Sequence, residues 1–559
     1  MILNQWIDQL GDWNPQLFRE LKGRLTVKSM ALMFLVSMVG QSLVYMNFES
    51  SLPYSENSAS HYCLGGSNVN LSSNYACSAD AAGNVALNWP LWWAEIFLTL
   101  SLIGFFVLLL GGTYLLIQDL TKEQKQGTLN FVTLSPQSAT AIALGKILGV
   151  PIWIYGCIAC ALPLHLWSGI RGGIPVYLIL MFYVVTATCL LFFYGGALLF
   201  ALVSGGGASK AWLGTGVLFY ASGMTTLLII HERIHLANVM DGVLLLNPIH
   251  MLVFLARSSP VTEKMYWFQS DSFGDMSFFG VPIVGGAAIA TLSHLVIYGI
   301  GTYWFAQAFK RKFHNAHSTL ITKKQSYILT ILLTVFAVGF TVQEPYQYSS
   351  DYNNWLLNFT LVSICAIFYL LILIAALSPS YQSIQDWSRY HNHKPKEWIW
   401  GERSPAFWAI ALNGLICFSG VAIAGMIVME APYRLPFFLG TVMQLLVVML
   451  LAGIGQSMLL RKTKKRGRLA TASVLAGIFL PLMVLAIEQT NPEFYAAPWF
   501  WTVTPLIAVK SASISTVIAT IIGQTAAIAA MNQLIQQRIK RIGSSELRQL
   551  IDAQHQPTT

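Results

Sequence analysis

The segment WWAEIFLTLSLIGFFVLLLGGTYLLI, Trp92 to Ile117, runs for 26 residues with one charged side chain, Glu95, near its start. As a helix rising 1.5 Å per residue it extends about 39 Å, more than the roughly 30 Å hydrocarbon core of a bilayer. Inside hydrocarbon every backbone N–H and C=O needs a partner within the protein, and a helix supplies nearly all of them. The segment therefore reads as a membrane-crossing helix. Further runs of the same kind fall near 29–48, 147–167, 175–203, 211–230 and 281–308. Six more lie near 326–343, 355–377, 405–429, 437–459, 469–487 and 512–534.

The whole chain agrees with that reading. Of its 559 residues 55% are hydrophobic and 10% are charged, far below the roughly 25% charged content of soluble domains. The formal charge of +9 does not point to nucleic acid, because Lys and Arg are confined to short segments between the apolar runs. With the N-terminus in the cytoplasm, 27 of the 33 Lys and Arg fall on the cytoplasmic side and 6 outside. That bias in flanking loops orients membrane proteins. Lys310-Arg311-Lys312 and Arg461 to Arg468 read as orientation anchors. The start, Met1 to Lys28, has no short apolar core with a small-residue cleavage site, so the first span is expected to act as its own insertion signal. The expected fold is all-α and polytopic, with about 12 transmembrane helices in two six-helix halves. Both termini are expected in the cytoplasm and the chain in the cell (inner) membrane.

The organisation follows. Residues 1–28 form a cytoplasmic amphipathic lead-in, 29–310 a first six-span half, 311–535 a second, and 536–559 a cytoplasmic tail. Both halves have a basic lead-in, two spans around an outer loop, a polar cytoplasmic segment and four more spans, which reads as an internal duplication by spacing. In the lead-in, Trp13, Leu17, Phe18, Leu21 and Leu25 recur at helical spacing, with Asn14 as N-cap and Pro15 at the first helical position. Such a helix lies in the headgroup layer, either as an anchor or as a lever.

Between the second and third spans the chain reads Gln118-Asp119-Leu120-Thr121-Lys122-Glu123-Gln124-Lys125-Gln126-Gly127-Thr128-Leu129, then Leu134-Ser135-Pro136, then Gly145-Lys146. Thr121 is placed to cap a short helix with Glu123 in its first turn, and Gly127 to end it. This order, from a charged run with Glu through Gly-Thr-Leu and Leu-Ser-Pro to Gly-Lys opening a span, resembles the first cytoplasmic loop of type-2 ABC transporter permeases. The resemblance implies a coupling helix that docks on an ATPase subunit, with Glu123, Gly127, Thr128, Leu129, Pro136, Gly145 and Lys146 as its positions. It also implies an interfacial elbow helix ahead of the first span. In the second half the corresponding loop, Leu377 to Tyr390 and Gly401 to Pro405, has no Gly-Thr-Leu element.

The same resemblance implies outer re-entrant segments before the last span of each half. Here those positions hold Leu246-Asn247-Pro248-Ile249 and Thr504-Pro505-Leu506-Ile507. Apolar stretches too short to span and broken by Pro read as re-entrant or as simple interfacial helices. Cys63 and Cys77 share one outer loop, where they form either a disulfide or two free thiols.

Other chemistries find little footing. No G-x-x-x-x-G-K-[ST] phosphate loop occurs, and Ser204-Gly205-Gly206-Gly207-Ala208-Ser209-Lys210 has the wrong spacing. The chain is thus expected to be no enzyme itself: ATP and Mg would sit on a partner ATPase, with no cofactor and no metal bound directly. His231-Glu232-Arg233-Ile234-His235 matches the H-E-x-x-H spacing of a zinc protease, but only Asp241 and His250 are nearby third ligands. An ion-coupled carrier would place ionisable relay groups within its spans; Glu95 and His294 are the main candidates. The leading expectation is a permease subunit, exporting substrate with ATP hydrolysed by a separate subunit. An ion-coupled transporter and, further behind, a membrane zinc metalloprotease are the alternatives. Expected partners are ABC ATPase subunits and the lipid bilayer, with no nucleic acid, and a second copy if one chain does not supply both halves.

Overall fold

The computed structural model describes residues 11–54, 59–64, 75–78, 85–205, 208–231, 239–258, 276–283, 285–343, 351–390, 395–463, 465–488, 491 and 495–544. Among them are 12 helices long and apolar enough to cross a membrane. An all-α, polytopic membrane fold follows. The chain packs as two compact units, one of Met1–His235, Val243–Ser277 and Val281–His314, the other of Leu236–Gly242, Phe278–Gly280 and Asn315–Thr559.

The first unit opens with α1 (Pro15–Arg24), entered through Asn14, whose side chain accepts from the Leu17 N–H, with Pro15 at the first helical position. The first span, α2 (Val27–Ser50), starts at a reciprocal capping box of Thr26 and Ser29, which satisfies two of the N–H groups a helix start leaves open. The loop after it forms the two-stranded ribbon of β1 (Ala59–Ser60) and β2 (Tyr75–Ala76), paired Ala59 to Ala76. Cys63 and Cys77 are joined there by a disulfide. The same loop covers Glu95: the Tyr62 hydroxyl donates to its carboxylate, and His61 Nε2 lies 3.2 Å away. Burial, and then the charge of Glu95, push the Tyr62 phenol well above its ordinary value. The lone charge of the Trp92–Ile117 apolar run thus has partners at its rim.

That second span, α3 (Trp89–Gln126), is 38 residues long, about 57 Å of helix against a hydrocarbon core of about 30 Å. Roughly half of it therefore projects beyond the apolar layer. It contains a π-helical turn at Val107–Gly111. The Leu108 carbonyl there accepts from the Tyr194 hydroxyl as well as from the Gly112 N–H. Thr121 lies inside this continuous helix and its hydroxyl donates to the Ile117 carbonyl, so no helix begins there. The sequence reading of Thr121 as a cap is corrected: nothing interrupts the ladder before Gly127.

After Gly127 come α4 (Thr128–Thr133) and α5 (Ala139–Gly149). The third span, α6 (Ile152–Arg171), starts after Pro151, which has no N–H to continue α5. Ile147 to Gly149 consequently belong to α5, not to the span as the hydropathy suggested. The unit continues with α7 (Val176–Ser204), α8 (Ala208–His231) and, after α9 (Val239–Leu244), whose first four residues belong to the second unit, α10 (His250–Ser258). A short ribbon, β3 (Ser277–Phe278) with β4 (Val281–Pro282), precedes the sixth span, α11 (Ala287–His314). Within the unit α2 and α3 pack on α6, while α3 and α11 pack on α7.

The second unit repeats the capped start: Thr322 and Gln325 form a capping box for α12 (Lys323–Thr341). It continues through α13 (Asp351–Leu377), α14 (Tyr381–Tyr390), α15 (Pro395–Trp400), α16 (Phe407–Val428), α17 (Ala431–Leu459), α18 (Arg466–Ile487), α19 (Ala496–Trp499) and α20 (Ile514–Gly543). Its core gathers Val338, Phe359, Val421, Phe437 and Leu506. A polar bond set ties α12 to α16: Asn413 donates to Ser326 Oγ and accepts from Thr330 Oγ1.

Candidate functional site

Three elements of the first unit converge where α3 leaves its apolar stretch. On α1 the buried residues are Gln16, Leu17, Glu20 and Leu21, so the packed face carries a carboxylate among leucines. Trp13 is exposed and Phe18 is partly covered, the latter with the Lys22 ammonium 5.1 Å from its ring centroid. Leu25 caps the helix, its N–H bonding the Leu21 carbonyl. The five apolar residues expected on one lipid-facing side are therefore divided: Leu17 and Leu21 turn into the protein, Trp13 outward.

What receives this face is α5. A Cβ on Gly145 would lie 2.9 Å from Asn14 and Gln16, and one on Gly149 only 2.5 Å from the Glu20 Cβ. The pair Gly145-x-x-x-Gly149 is a small-residue stripe that lets the Gln16 and Glu20 side chains pack directly on the α5 backbone. Asn14 Nδ2 also donates to the Ala141 carbonyl at 2.8 Å.

Around that contact six charges close on one another. Lys146, with no exposed surface, sets its Nζ 2.7 Å from Asp119, 2.9 Å from Glu123 and 3.6 Å from Glu20. Arg24 reaches Asp119 at 2.7 Å and Glu20 at 2.9 Å, and donates to the Val150 carbonyl. Arg19 pairs with Glu123 and, at 3.3 Å, with Glu20. Burial by itself would lower the lysine's pKa, but Asp119, Glu123 and Glu20 together outweigh it and hold the ammonium above its ordinary 10.5. Three cations face three carboxylates, so the set is neutral. Buried ion pairs of this kind contribute little net stability over apolar packing, yet they fix register because any displacement strands a charge.

Glu20, Asp119 and Glu123 bring carboxylate oxygens within 4.8 Å of one another, the spacing of a metal site. Their counter-ions are already present as Lys146, Arg24 and Arg19, and the donor set does not call for a metal.

Beyond the joint, Gly127 adopts φ +72°, a left-handed conformation in which a Cβ is strained. It reverses the chain from α3 into α4. Thr128 Oγ1 bonds back to the Glu123 carbonyl at 3.3 Å, and Leu129 is buried. Pro136 is exposed in the turn before the Ser138 N-cap of α5 and touches none of the charges. Phe131 and Leu134 stand 77% and 83% exposed. The loop thus presents two large apolar side chains at its tip, on a stem held by the ion set. Glu123, Gly145, Lys146, Leu17 and Leu21 meet in space, whereas Trp13, Phe18 and Pro136 stay apart from them. Glu20 and Gly149 were missed by the sequence reading. The i,i+4 pair Glu20/Arg24 and the spacing of Gly145 and Gly149 were the signals that mark them.

The other candidate segments lie elsewhere. Asn247 sits in the break between α9 and α10, its Nδ2 within 3.1 Å of oxygens on Ser222, Thr225 and Thr226. Pro248 follows it, and Ile249, Met251 and Leu252 are fully buried. Pro505 opens a 3-10 turn that carries the buried Leu506. In the second unit, α14 buries Ile384 and Trp387 against Ile535, Ile539 and Ile542 of α20, so its apolar face is already covered. Of the zinc-protease motif, Glu232 to His235 lie outside the described residues.

Fold and site define a polytopic helical membrane protein whose first unit carries an ion-locked joint beneath an exposed apolar tip. Comparison with family models, with curated proteins and with solved structures finds no match to this chain.

Proposed function

We propose that this chain is the membrane-spanning permease subunit of an ATP-driven transporter, oriented with both termini in the cytoplasm of the cell membrane. The α4 tip is its contact with an ATPase subunit. The observation that carries this reading is the pairing of Phe131, exposed on a six-residue helix, and Leu134, exposed at its C-cap, with the charged joint that ties the same loop to α1 and to a 38-residue span. An apolar anchor on a short helix suits a groove on a soluble partner. A push on α4 passes into α3 directly, because only the Gly127 reversal separates them, and reaches α1 through Glu123, Asp119 and Lys146. Export is the direction the sequence resemblance implies. The second unit's α14 spends its apolar face internally, which supports one docking tip per chain and a second copy for a machine needing two.

The test is co-purification of the full-length chain from membranes of its own cells, with nucleotide hydrolysis measured on the recovered complex. Phe131→Asp with Leu134→Asp is expected to remove the ATPase from the preparation while the inserted protein remains at its normal level. An unchanged ATPase yield, or uphill solute movement by vesicles holding only this polypeptide, defeats the proposal.

A further inference from the structure

We infer that the first unit holds a binding cavity for a neutral, mostly apolar ligand bearing one hydroxyl group. This goes beyond the transport reading and does not depend on any ATPase. A cavity of about 440 Å³ opens among α2, α3, α6 and α7, at mid-helix in the first three. That size falls within the roughly 300–1,000 Å³ of small-molecule sites. Its lining includes Val36, Leu43, Leu100, Leu108, Ile158 and Leu162, and none of its twenty residues is charged. A charged ligand would leave its ionic group unpaired in an apolar cavity, a cost of several kcal/mol or more. The ligand is accordingly neutral.

The polar groups are few and ordered. Ser101 Oγ donates to the Phe97 carbonyl at 2.8 Å, so it must accept from His165 Nε2, 2.7 Å away. His165 Nδ1, left as the acceptor of a neutral imidazole, receives the Tyr183 hydroxyl proton at 2.7 Å. The ring packs on Phe97, centroids 4.3 Å apart and planes tilted by 32°. With its proton committed, the Tyr183 oxygen offers only lone pairs to the cavity.

One turn along α7, Thr186 also lines it. Thr186 is 9% exposed, and its hydroxyl has no hydrogen-bond partner. A buried, unpaired hydroxyl costs free energy that a ligand can recover. Residues three apart share a helix face, and both line the cavity, so an acceptor and a free donor face the same space. A ligand hydroxyl satisfies both at once, donating to Tyr183 Oη and accepting from Thr186 Oγ1. An alkane satisfies neither, and a carboxylate would face the Tyr183 lone pairs without a donor of its own.

The experiment uses purified full-length protein in phosphatidylcholine vesicles and a hexadecanol carrying a diazirine on its chain. Photolabel is expected on peptides covering residues 100–108, 157–165 and 182–186. Unlabelled hexadecanol should compete roughly five- to hundredfold better than hexadecane or palmitate at equal mole fraction, the effect of two hydrogen bonds at about 1.4 kcal/mol per tenfold. A one-chain alcohol and dioleoylglycerol, compared in parallel, separate a free solute from a bilayer lipid as the source of the hydroxyl. Tyr183→Phe with Thr186→Val should bring alcohol and alkane to the same competition, while Ala161→Phe should reduce labelling of the cavity peptides by both. Label spread evenly over the lipid-facing helices, or an alkane competing as well as the alcohol on the unmodified protein, overturns the inference. The competition series on unmodified protein decides the matter even if a variant fails to fold.

Discussion

Replacing Lys146 by Met removes one cation from a set of three and leaves Arg19 and Arg24 facing Glu20, Asp119 and Glu123. The joint then holds one uncompensated negative charge, at a place where the lysine had no exposed surface. Breaking a buried ion set by deleting one partner costs about 3–5 kcal/mol. The weakest element bears that loss, and α1 is it: ten residues attached chiefly through this contact. Undocking of α1 should therefore become easier, and hydrogen exchange at Phe18, Leu21 and Leu25 should accelerate by about two to three and a half decades. Exchange in α16, which belongs to the second unit, should be unchanged. Lys146→Met combined with Glu123→Gln restores two cations against two carboxylates, keeps both contacts of Arg24, and should recover at least half of the lost protection. Acceleration below threefold in the single variant, or faster exchange in the double than in the single, would refute the electrostatic account of the joint.

Other consequences follow from the same residues. Because the folded-state pKa of Lys146 is raised, its contribution is fully present below 10.5 and is lost as pH climbs through the higher folded value; a spin label at Lys22→Cys should stay immobile from pH 7 to 10 and loosen only above that range. Gly149→Val places a side chain where Glu20 already stands, 2.5 Å from the first added carbon, and should lift α1 off α5, read as protease sensitivity near Arg24 with the spans intact. Gly127→Ala keeps open space around the added methyl but strains a φ of +72°; a thermal shift corresponding to about 1 kcal/mol is expected, smaller than any change within the ion set. Asn413→Leu removes the bonds between α12 and α16 and should cost about 0.6–1.7 kcal/mol, the range for interhelical hydrogen bonds in membranes, measured by thermal unfolding in detergent.

The spans were legible because hydrocarbon imposes a single demand, length without charge, that each run states on its own. Boundaries failed where the deciding group was not hydropathic. Pro151 separates α5 from α6 although Ile147 and Leu148 are as apolar as the span beyond, and α3 continues past Ile117 because nothing in Gln118 to Gln126 breaks a helix. The site was legible only in part. Asn14, Pro15 and Gly127 act locally and could be placed from their neighbours. The i,i+4 pair with Arg24 marks Glu20 locally, but its burial was not legible, since that depends on Gly149, 129 residues on, and on a lysine that becomes buried only when three carboxylates surround it. Phe131 and Leu134 read like ordinary members of an apolar pattern until the fold leaves them uncovered.

A second buried lysine shows what the carboxylates add at the first. Lys323 is 2% exposed, but its Nζ donates to neutral oxygens: the Trp398 carbonyl at 2.8 Å, Ser404 Oγ at 2.5 Å and the Pro405 carbonyl at 3.2 Å. Replacing it by Met strands two carbonyls and no charge, because Ser404 keeps its own bonds to Glu397 and Gly401. The expected loss is that of an unsatisfied polar group, about 1–3 kcal/mol, below the 3–5 kcal/mol expected at Lys146. The two also differ in what can repair them. Removing a carboxylate rescues Lys146→Met, whereas no charge-neutralising partner exists among the acceptors of Lys323. Added salt offers a third contrast, since Arg19 is half exposed and its pairing is screened, while the contacts of Lys323 carry no ionic partner to screen. Thermal unfolding of both lysine variants at low and high salt reads all three differences, and equal losses with equal salt dependence would show that the carboxylates beside Lys146 act only as hydrogen-bond acceptors.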